Sequence, residues 1–454
     1  DVSDKFLNAR FSINCPSIEV KKSKTAKSSK GNGKIIRSSD GTLKVQFNAV
    51  SESQTIKDCF QKFSVPENET RGKLLSEEDY YSLSAVDEDG RNWQTEKALI
   101  QSTKVSKKTR LSISISEISC TSESCIAHKE ESMLIKLENV VKLPFLWDMK
   151  SKTSAPPIHT FEVGDKLILF QRNQTLFLSK EVGLKLREAF QFLLAQHIEW
   201  SCYRLTSTNK TEVMLHSHSV KRVFTVGTPP ICLDSIYAGK EKEVFPDAAT
   251  PMCSERQLWR LYESYFNYLS SSSEYGIHPM SGWVNRVIES TQQNLEARML
   301  TISVAVESII DLKEFDFLTS DNSQRASQRD SLIQDVERLE EWMSEQNLDD
   351  SFRKRLKGFL GSLSRKSIRP IDKLYKLVDI EVLDKDHVES WKNLRNASAH
   401  GYVVSPGNVE SHYQKYQNVA VLFFQLIFFL IEYQGVYSDY SEIRYPLRYF
   451  EKTV

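Results

Sequence analysis

The chain has 454 residues, enough for two or three domains and a sizeable core. Lysine plus arginine and aspartate plus glutamate number 60 each, so no overall basic charge advertises nucleic acid, and any polyanion-binding surface has to be local. Seven cysteines, at 15, 59, 120, 125, 202, 232 and 253, make neither a disulfide framework nor a C-x2-C metal pair; with no charged-then-apolar leader in view, they predict a reducing, cytoplasmic setting.

Residues 1–20 are mixed in character, and KKSKTAKSSKGNGKIIR (21–37) reads as a flexible loop or hairpin tip. This basic run is either solvated surface or a phosphate-binding arm. From GTLKVQF (41–47) the pattern becomes period-two, and it recurs in RLSISISEISC (110–120), MLIKLENVVKL (133–143), FEVGDKLILF (161–170), TLFLS (175–179) and SVKRVFTVG (219–227). One amphipathic helix, 180–200, interrupts these strands. Residues 1–245 are therefore expected to form a β-rich sensor or regulatory domain, an antiparallel sheet or sandwich with a helix packed on it, closed by the turn-rich segment 245–253. Cys120, Cys125 and His128 lack a second cluster at zinc spacing, and His216 with His218 lack a carboxylate or cysteine partner. No metal and no cofactor is expected.

From Ser254 the periodicity is helical. Helices are expected at 254–270 and, long or broken, at 283–312. TSDNSQRASQRDS (319–331) reads as an exposed loop, and shorter helices follow it, split by glycine and Pro370. Within them, residues 352–369 are dense in arginine and lysine and hold no acid, so they suit phosphate contacts or simply a solvated face. The apolar run VAVLFFQLIFFLI (419–431) is shorter than the roughly 20 residues a bilayer requires and reads as a core or dimer helix. The aromatic tail 437–454 reads as docking onto a core, with stacking on unpaired bases as the other option. The fold class is α+β, with a helical bundle over 254–454.

The densest chemistry lies in DKDHVESWKNLRNASAHG (384–401). Asp384 or Asp386 can cap a helix there, Val388, Trp391 and Leu394 make an apolar stripe, and Gly401 is a natural stop. Asn396 and His400 share a helix face at four-residue spacing, whereas Arg395 and His400 converge only if the helix end bends. Histidine titrates near neutrality, arginine forks two donors onto phosphate, and asparagine orients either partner. RNA brings its own nucleophile, the 2′-hydroxyl, so this set suits phosphodiester attack without a metal. The same residues also fit a solvated arginine and a histidine favoured by the helix dipole.

Residues 395–400, RNASAH, resemble the R-N-x3-H form of the R-x4-6-H motif of HEPN domains, all-helical modules found in many metal-independent ribonucleases. LEARMLTISVAVESII (295–310) resembles their long early helix, and 417–433 the helix after the motif. A large N-terminal region ahead of such a domain is similar to ApeA-type abortive-infection proteins of bacteria. The resemblance implies His400 as general acid/base, Arg395 as phosphate clamp and Asn396 as orienting group. It further implies a homodimer with facing motifs, host RNA such as tRNA as substrate and a phage-derived trigger; no membrane partner is expected, given the length of the apolar run 419–431. Glu307 stands where related domains often carry an acid, although one helical glutamate is more commonly solvated or ion-paired. A catalytically silent module that binds a nucleotide or a protein is the alternative.

Overall fold

The structure, a computed structural model, describes residues 11–22, 28–38, 41–49, 80–105, 109–123, 132–138, 158–164, 167–172, 180–207, 210–217, 227–232, 252–271, 278–318, 323–346, 348–363, 369–399 and 404–451. The chain divides into two compact units, residues 1–187 with 197–224, and residues 188–196 with 225–454.

The first unit is built from β1 (Phe11–Lys22), β2 (Ser28–Arg37), β3 (Leu43–Ala49), β4 (Tyr81–Val86), β5 (Asn92–Val105) and β6 (Thr109–Ile115), followed by β7 (Glu117–Glu123), β8 (Ser132–Glu138), β9 (Ile158–Gly164), β10 (Leu167–Arg172), β11 (Glu199–Ser207) and β12 (Lys210–His216). All neighbours are antiparallel. The order β4-β1-β2-β3-β6-β5 closes on itself, because β5 pairs with β4 as well as with β6. The result is a six-stranded barrel, where the sequence pattern suggests an open sheet or a sandwich. Closure follows from the 14-residue length of β5: its first half lies along β4, its second along β6, and the register shifts between Ile100 and Ser102. Such a bulge bends a strand round a corner. Through Asn92–Gln94, β5 also pairs with β7, and the sheet continues β7-β12-β11-β8-β10-β9.

Alternate side chains fill the barrel. Ile18, Ile35, Val45, Phe47, Trp93 and Ile113 are fully buried. β2 and β3 approach so closely that a Cβ on Gly33 would stand 1.8 Å from the Gln46 carbonyl oxygen, so only glycine fits there. Strands β1 and β2 take up Lys21–Lys22 and Ser28–Arg37 of the segment 21–37, whose composition suggests a flexible loop or hairpin tip; residues 23–27, between them, lie outside the described residues. Segments 175–179, 219–226 and 245–251, with Cys59, Cys125, His128 and His218, lie outside them too. Burial pushes the Cys15 thiol up to about 11 and that of Cys120 to about 12, which leaves both poor nucleophiles at neutral pH.

Helix α1 (Lys180–Leu194) is shorter than the expected 180–200, because β11 begins at Glu199. The second unit adds α2 (Met252–Ser271), α3 (Pro279–Ser290), α4 (Leu295–Ile310), α5 (Ser323–Glu345), α6 (Asp350–Leu363), α7 (Pro370–Asp379), α8 (Lys385–Ala399), α9 (Val409–Leu430) and the hairpin β13 (Gly435–Ser438) with β14 (Leu447–Phe450). The long stretch 283–312 breaks at 291–294, where Asn294 Oδ1 accepts the Ala297 N–H at 3.0 Å and starts α4 afresh. Helix α5 begins at Ser323, inside the expected loop 319–331. That stretch is polar but holds neither glycine nor proline, and glutamine, arginine and alanine tolerate a helix well.

Helix α9 is buried on every side from Val419 to Leu430, which makes the apolar run a core helix. Gln425, the polar residue in that run, donates to the Tyr437 hydroxyl at 3.2 Å. Phe428 meets Tyr433, Tyr437 and Phe450, so the aromatic tail docks onto α9. Among the described residues no helix is long and apolar enough to cross a membrane.

The β4–β5 turn depends on one carboxylate. Asp87 is buried; its Oδ2 accepts the Trp93 indole N–H at 3.0 Å, and its Oδ1 accepts the Asp89 and Arg91 backbone N–H groups. Asp87→Ala leaves a buried indole donor unpaired and is expected to cost about 1–3 kcal/mol, read as a lower urea midpoint; Asp87→Asn, which keeps an acceptor, should lose less. Equal midpoints for both variants would remove the turn from this role.

Candidate active site

Helix α8 starts at a side-chain cap, Asp384 Oδ1 accepting the Asp386 N–H at 2.7 Å. Its stripe Val388, Trp391 and Leu394 is buried, as the three-residue spacing predicts. The stripe packs α8 against α4 and α9. Two directed bonds then fix it on α4. Trp391 Nε1 donates to the Ser303 carbonyl oxygen at 2.9 Å, and four residues later Arg395 Nε donates to Glu307 Oε2 at 2.6 Å. Ser303 and Glu307 are also four apart, so the two contacts are one turn apart on both helices. On the α9 side, Asn418 Nδ2 donates to Ser390 Oγ at 3.0 Å.

Supporting contacts hold the ends of this assembly. The buried Lys373 ammonium of α7 donates to the Ile310 carbonyl oxygen at 3.2 Å and to Asp311 Oδ1 at 3.0 Å, closing the C-terminus of α4. At the other end, Glu296 Oε1 accepts the Val404 N–H at 3.2 Å, which ties the chain beyond the motif to the first turn of α4. His412, buried near the start of α9, is held below the usual imidazole range by burial and by the Lys415 charge, against the pull of Glu296.

The candidate residues are thus placed unequally. Arg395 and Glu307 are about a third exposed, at 35% and 32%. Glu307 takes the Arg395 Nε, and among the described residues neither terminal guanidinium nitrogen has a hydrogen-bond partner. Asn396 is exposed on the next position and bonds to nothing among the described residues. His400 and Gly401 lie outside the described residues. The basic segment 352–369 is divided: α6 packs on α5, and Arg369 is engaged by both oxygens of Asp372 at 2.9 Å. Among the described residues no three histidine, cysteine or acidic side chains converge as a metal site.

Sequence reasoning marked Arg395 and noted Glu307 without pairing them. It missed Trp391 as a donor, Lys373 as a helix cap and Glu296 as a tether. A tryptophan on an apolar stripe gives no sign of where its N–H goes. The chemistry open to the group is orientation of a phosphate by two directed donors in a locally neutral setting, with a polar amide beside them. Comparison with models of known families, with curated proteins and with solved structures finds no match to this chain.

Because both partners are partly exposed, a double-mutant cycle of Glu307→Gln and Arg395→Gln is expected to give a coupling of about 0.5–1 kcal/mol in urea unfolding. Zero coupling would mean that the pair does not hold in solution. For His412 the depressed folded value makes the neutral form the stabilising one, so its contribution is present above about pH 6.5 and lost as pH falls towards the folded value. The thermal midpoint of the native chain should therefore approach that of His412→Gln between pH 7 and pH 5; a constant gap would remove the burial argument.

Proposed function

We propose that the chain is a metal-independent RNA endonuclease of the HEPN type, with Arg395, Asn396 and His400 as its working residues. The observation that carries this reading is the Arg395–Glu307 pair, which fixes the guanidinium at 2.6 Å through Nε and leaves its fork for a phosphate. The 2′-oxygen attacks the adjacent phosphorus, the bond to the 5′-oxygen breaks, and the products are a 2′,3′-cyclic phosphate and a 5′-hydroxyl. His400 moves the proton, Arg395 takes up charge on the phosphate oxygens, and Asn396 orients substrate or histidine.

By its resemblance to ApeA-type proteins, the reading extends to a bacterial abortive-infection effector in the cytoplasm. A phage-derived signal would act through the β-rich region, two copies would bring their motifs together, and the RNA cut would be the host's, tRNA included. A second reading draws on the same pair. A guanidinium already met by a carboxylate also suits a HEPN-type binding module without catalysis.

Purified chain, His400→Ala and Arg395→Ala are to be incubated with total bacterial RNA and single tRNAs in excess chelator. The native chain is expected to yield discrete fragments with cyclic-phosphate ends, and His400→Ala to lose about 10²–10⁴-fold in rate. Equal cutting by native chain and variants would move the chemistry elsewhere. Growth arrest on co-expression of the native chain but not of His400→Ala would separate a nuclease awaiting its trigger from a silent module.

A further inference from the structure

The barrel is uneven in charge. Strands β2, β3 and β6 lie within the stretches 20–39, 41–51 and 97–116, which hold seven, one and five lysines and arginines and no acid, in a chain whose two charges are equal in number. Strand alternation shows where the side chains stand. On β2, Gly31, Ile35 and Arg37 are buried, while Lys30, Asn32 and Lys34 are exposed. On β3, Leu43, Val45 and Phe47 are buried, and Lys44, Gln46 and Asn48 take the outer face. Strand β6 buries Leu111, Ile113 and Ile115 and turns Arg110, Ser112 and Ser114 outward.

The register sets these outer residues in rows. Ile36, Lys44 and Ser114 form one, Lys34, Gln46 and Ser112 the next, and Asn32, Asn48 and Arg110 the third. In the third row Asn48 Nδ2 donates to Asn32 Oδ1 at 3.3 Å. With strands about 4.8 Å apart and about 3.3 Å per residue, Lys30, Lys34, Lys44 and Arg110 share a field about 10 Å wide and 20 Å long. Lys34, Lys44 and Arg110 have no hydrogen-bond or ion-pair partner among the described residues. Towards β1 the field meets acids. Glu19, opposite Lys30, is held below the usual carboxylate range by the Ser28 hydroxyl and by the Lys21 and Lys30 charges, and Glu88 accepts from Asn14.

Three properties select a partner. Four cations with no acid between them call for a polyanion. Ile36 is the one apolar side chain among these outer residues, so the face has neither the apolar centre of a protein interface nor an anchor for a lipid surface. No aromatic ring stands there for unpaired bases to stack on, whereas amides and hydroxyls lie between the cations, suited to phosphate and ribose oxygens.

We propose that the β2–β3–β6 face binds the sugar–phosphate backbone of a base-paired RNA. An A-form helix offers a wide, shallow minor groove edged by phosphates and 2′-hydroxyls, which a convex strand surface meets without reading sequence. A DNA duplex shares the phosphates but lacks 2′-hydroxyl partners for Asn32, Gln46 and Asn48. The face belongs to the first unit and Arg395 to the second, so binding here needs no cleavage.

Fluorescence anisotropy on the full-length chain, carrying His400→Ala to keep the probe whole, tests it with an RNA duplex, the DNA duplex of the same sequence and the single RNA strand. Polyglutamate and phosphatidylserine vesicles serve as the other polyanions. The RNA duplex is expected to bind tightest, with log K falling against log salt at a slope of about −3 to −4 for four phosphate contacts. Lys34→Gln with Arg110→Gln should reduce that slope by about two and weaken binding about tenfold for each cation at about 0.1 M salt. Lys34→Arg with Lys44→Arg keeps the charge and should bind as the parent does, which separates loss of charge from loss of fold. Lys354→Gln with Lys357→Gln, on α6, should leave binding unchanged. No binding of the RNA duplex, parental binding by the Lys34→Gln and Arg110→Gln chain, or a larger loss in the α6 variant overturns the face. Equal affinity for DNA, or tighter binding of the single strand, overturns base-paired RNA as its partner. Tighter binding of vesicles or polyglutamate at equal charge assigns the face to lipid or to acidic protein instead. Absence of cleavage by the native chain with RNA binding intact would count against the reading of α8 and not against the barrel.

Discussion

The candidate site depends on the contact between α8 and α4, and that contact has two parts of different weight. Burial of Val388, Trp391 and Leu394 is worth about 1.5–3 kcal/mol for each full-sized side chain, whereas a partly exposed ion pair such as Arg395 with Glu307 contributes under about 1 kcal/mol. The apolar stripe therefore sets where α8 lies. The ion pair sets which way one guanidinium points. Long arginine side chains lose about 2 kcal/mol of rotamer freedom when fixed, so an orienting carboxylate makes the ordered rotamer available before an anion arrives.

Polar groups buried deeper in the same unit follow the same division. The Lys373 ammonium is desolvated and would be costly alone, but the Ile310 carbonyl and the Asp311 carboxylate both accept from it, at the point where α4 has unsatisfied carbonyls. Gln425, inside a helix apolar on all sides, finds the Tyr437 hydroxyl. In the β unit, Asp87 meets one indole and two backbone donors at once. For Lys373 and Asp87 apolar packing positions the element and one multiply bonded polar group selects the detail, while Gln425 is bonded through its amide nitrogen.

What could be read from the sequence was local. The stripe and cap of α8 and the core character of 419–431 rest on neighbours within one or two turns, and the structure has them where periodicity and capping put them; for 283–312 the sequence left a long or a broken helix open, and the Asn294 cap decides for the break. What could not be read was pairing across distance. Arg395 and Glu307 are 88 residues apart, and nothing in either stretch names the other. Barrel closure depends on β5 reaching two partners, which alternation along one strand does not specify. The start of α5 was hidden for another reason: a polar helix without an apolar period resembles a loop until tertiary structure holds it. For the R-N-x3-H string, Arg395 has a fixed orientation and Asn396 an exposed one, while His400 falls outside the described residues.

Set beside α8 and α9, the α5–α6 hairpin is the exception in its unit. Elsewhere an apolar stripe meets a neighbouring helix: that of α8 meets α4 and α9, and α9 is covered on all sides. The hairpin has one stripe covered by its own seam and a second, on the adjoining face, about half exposed.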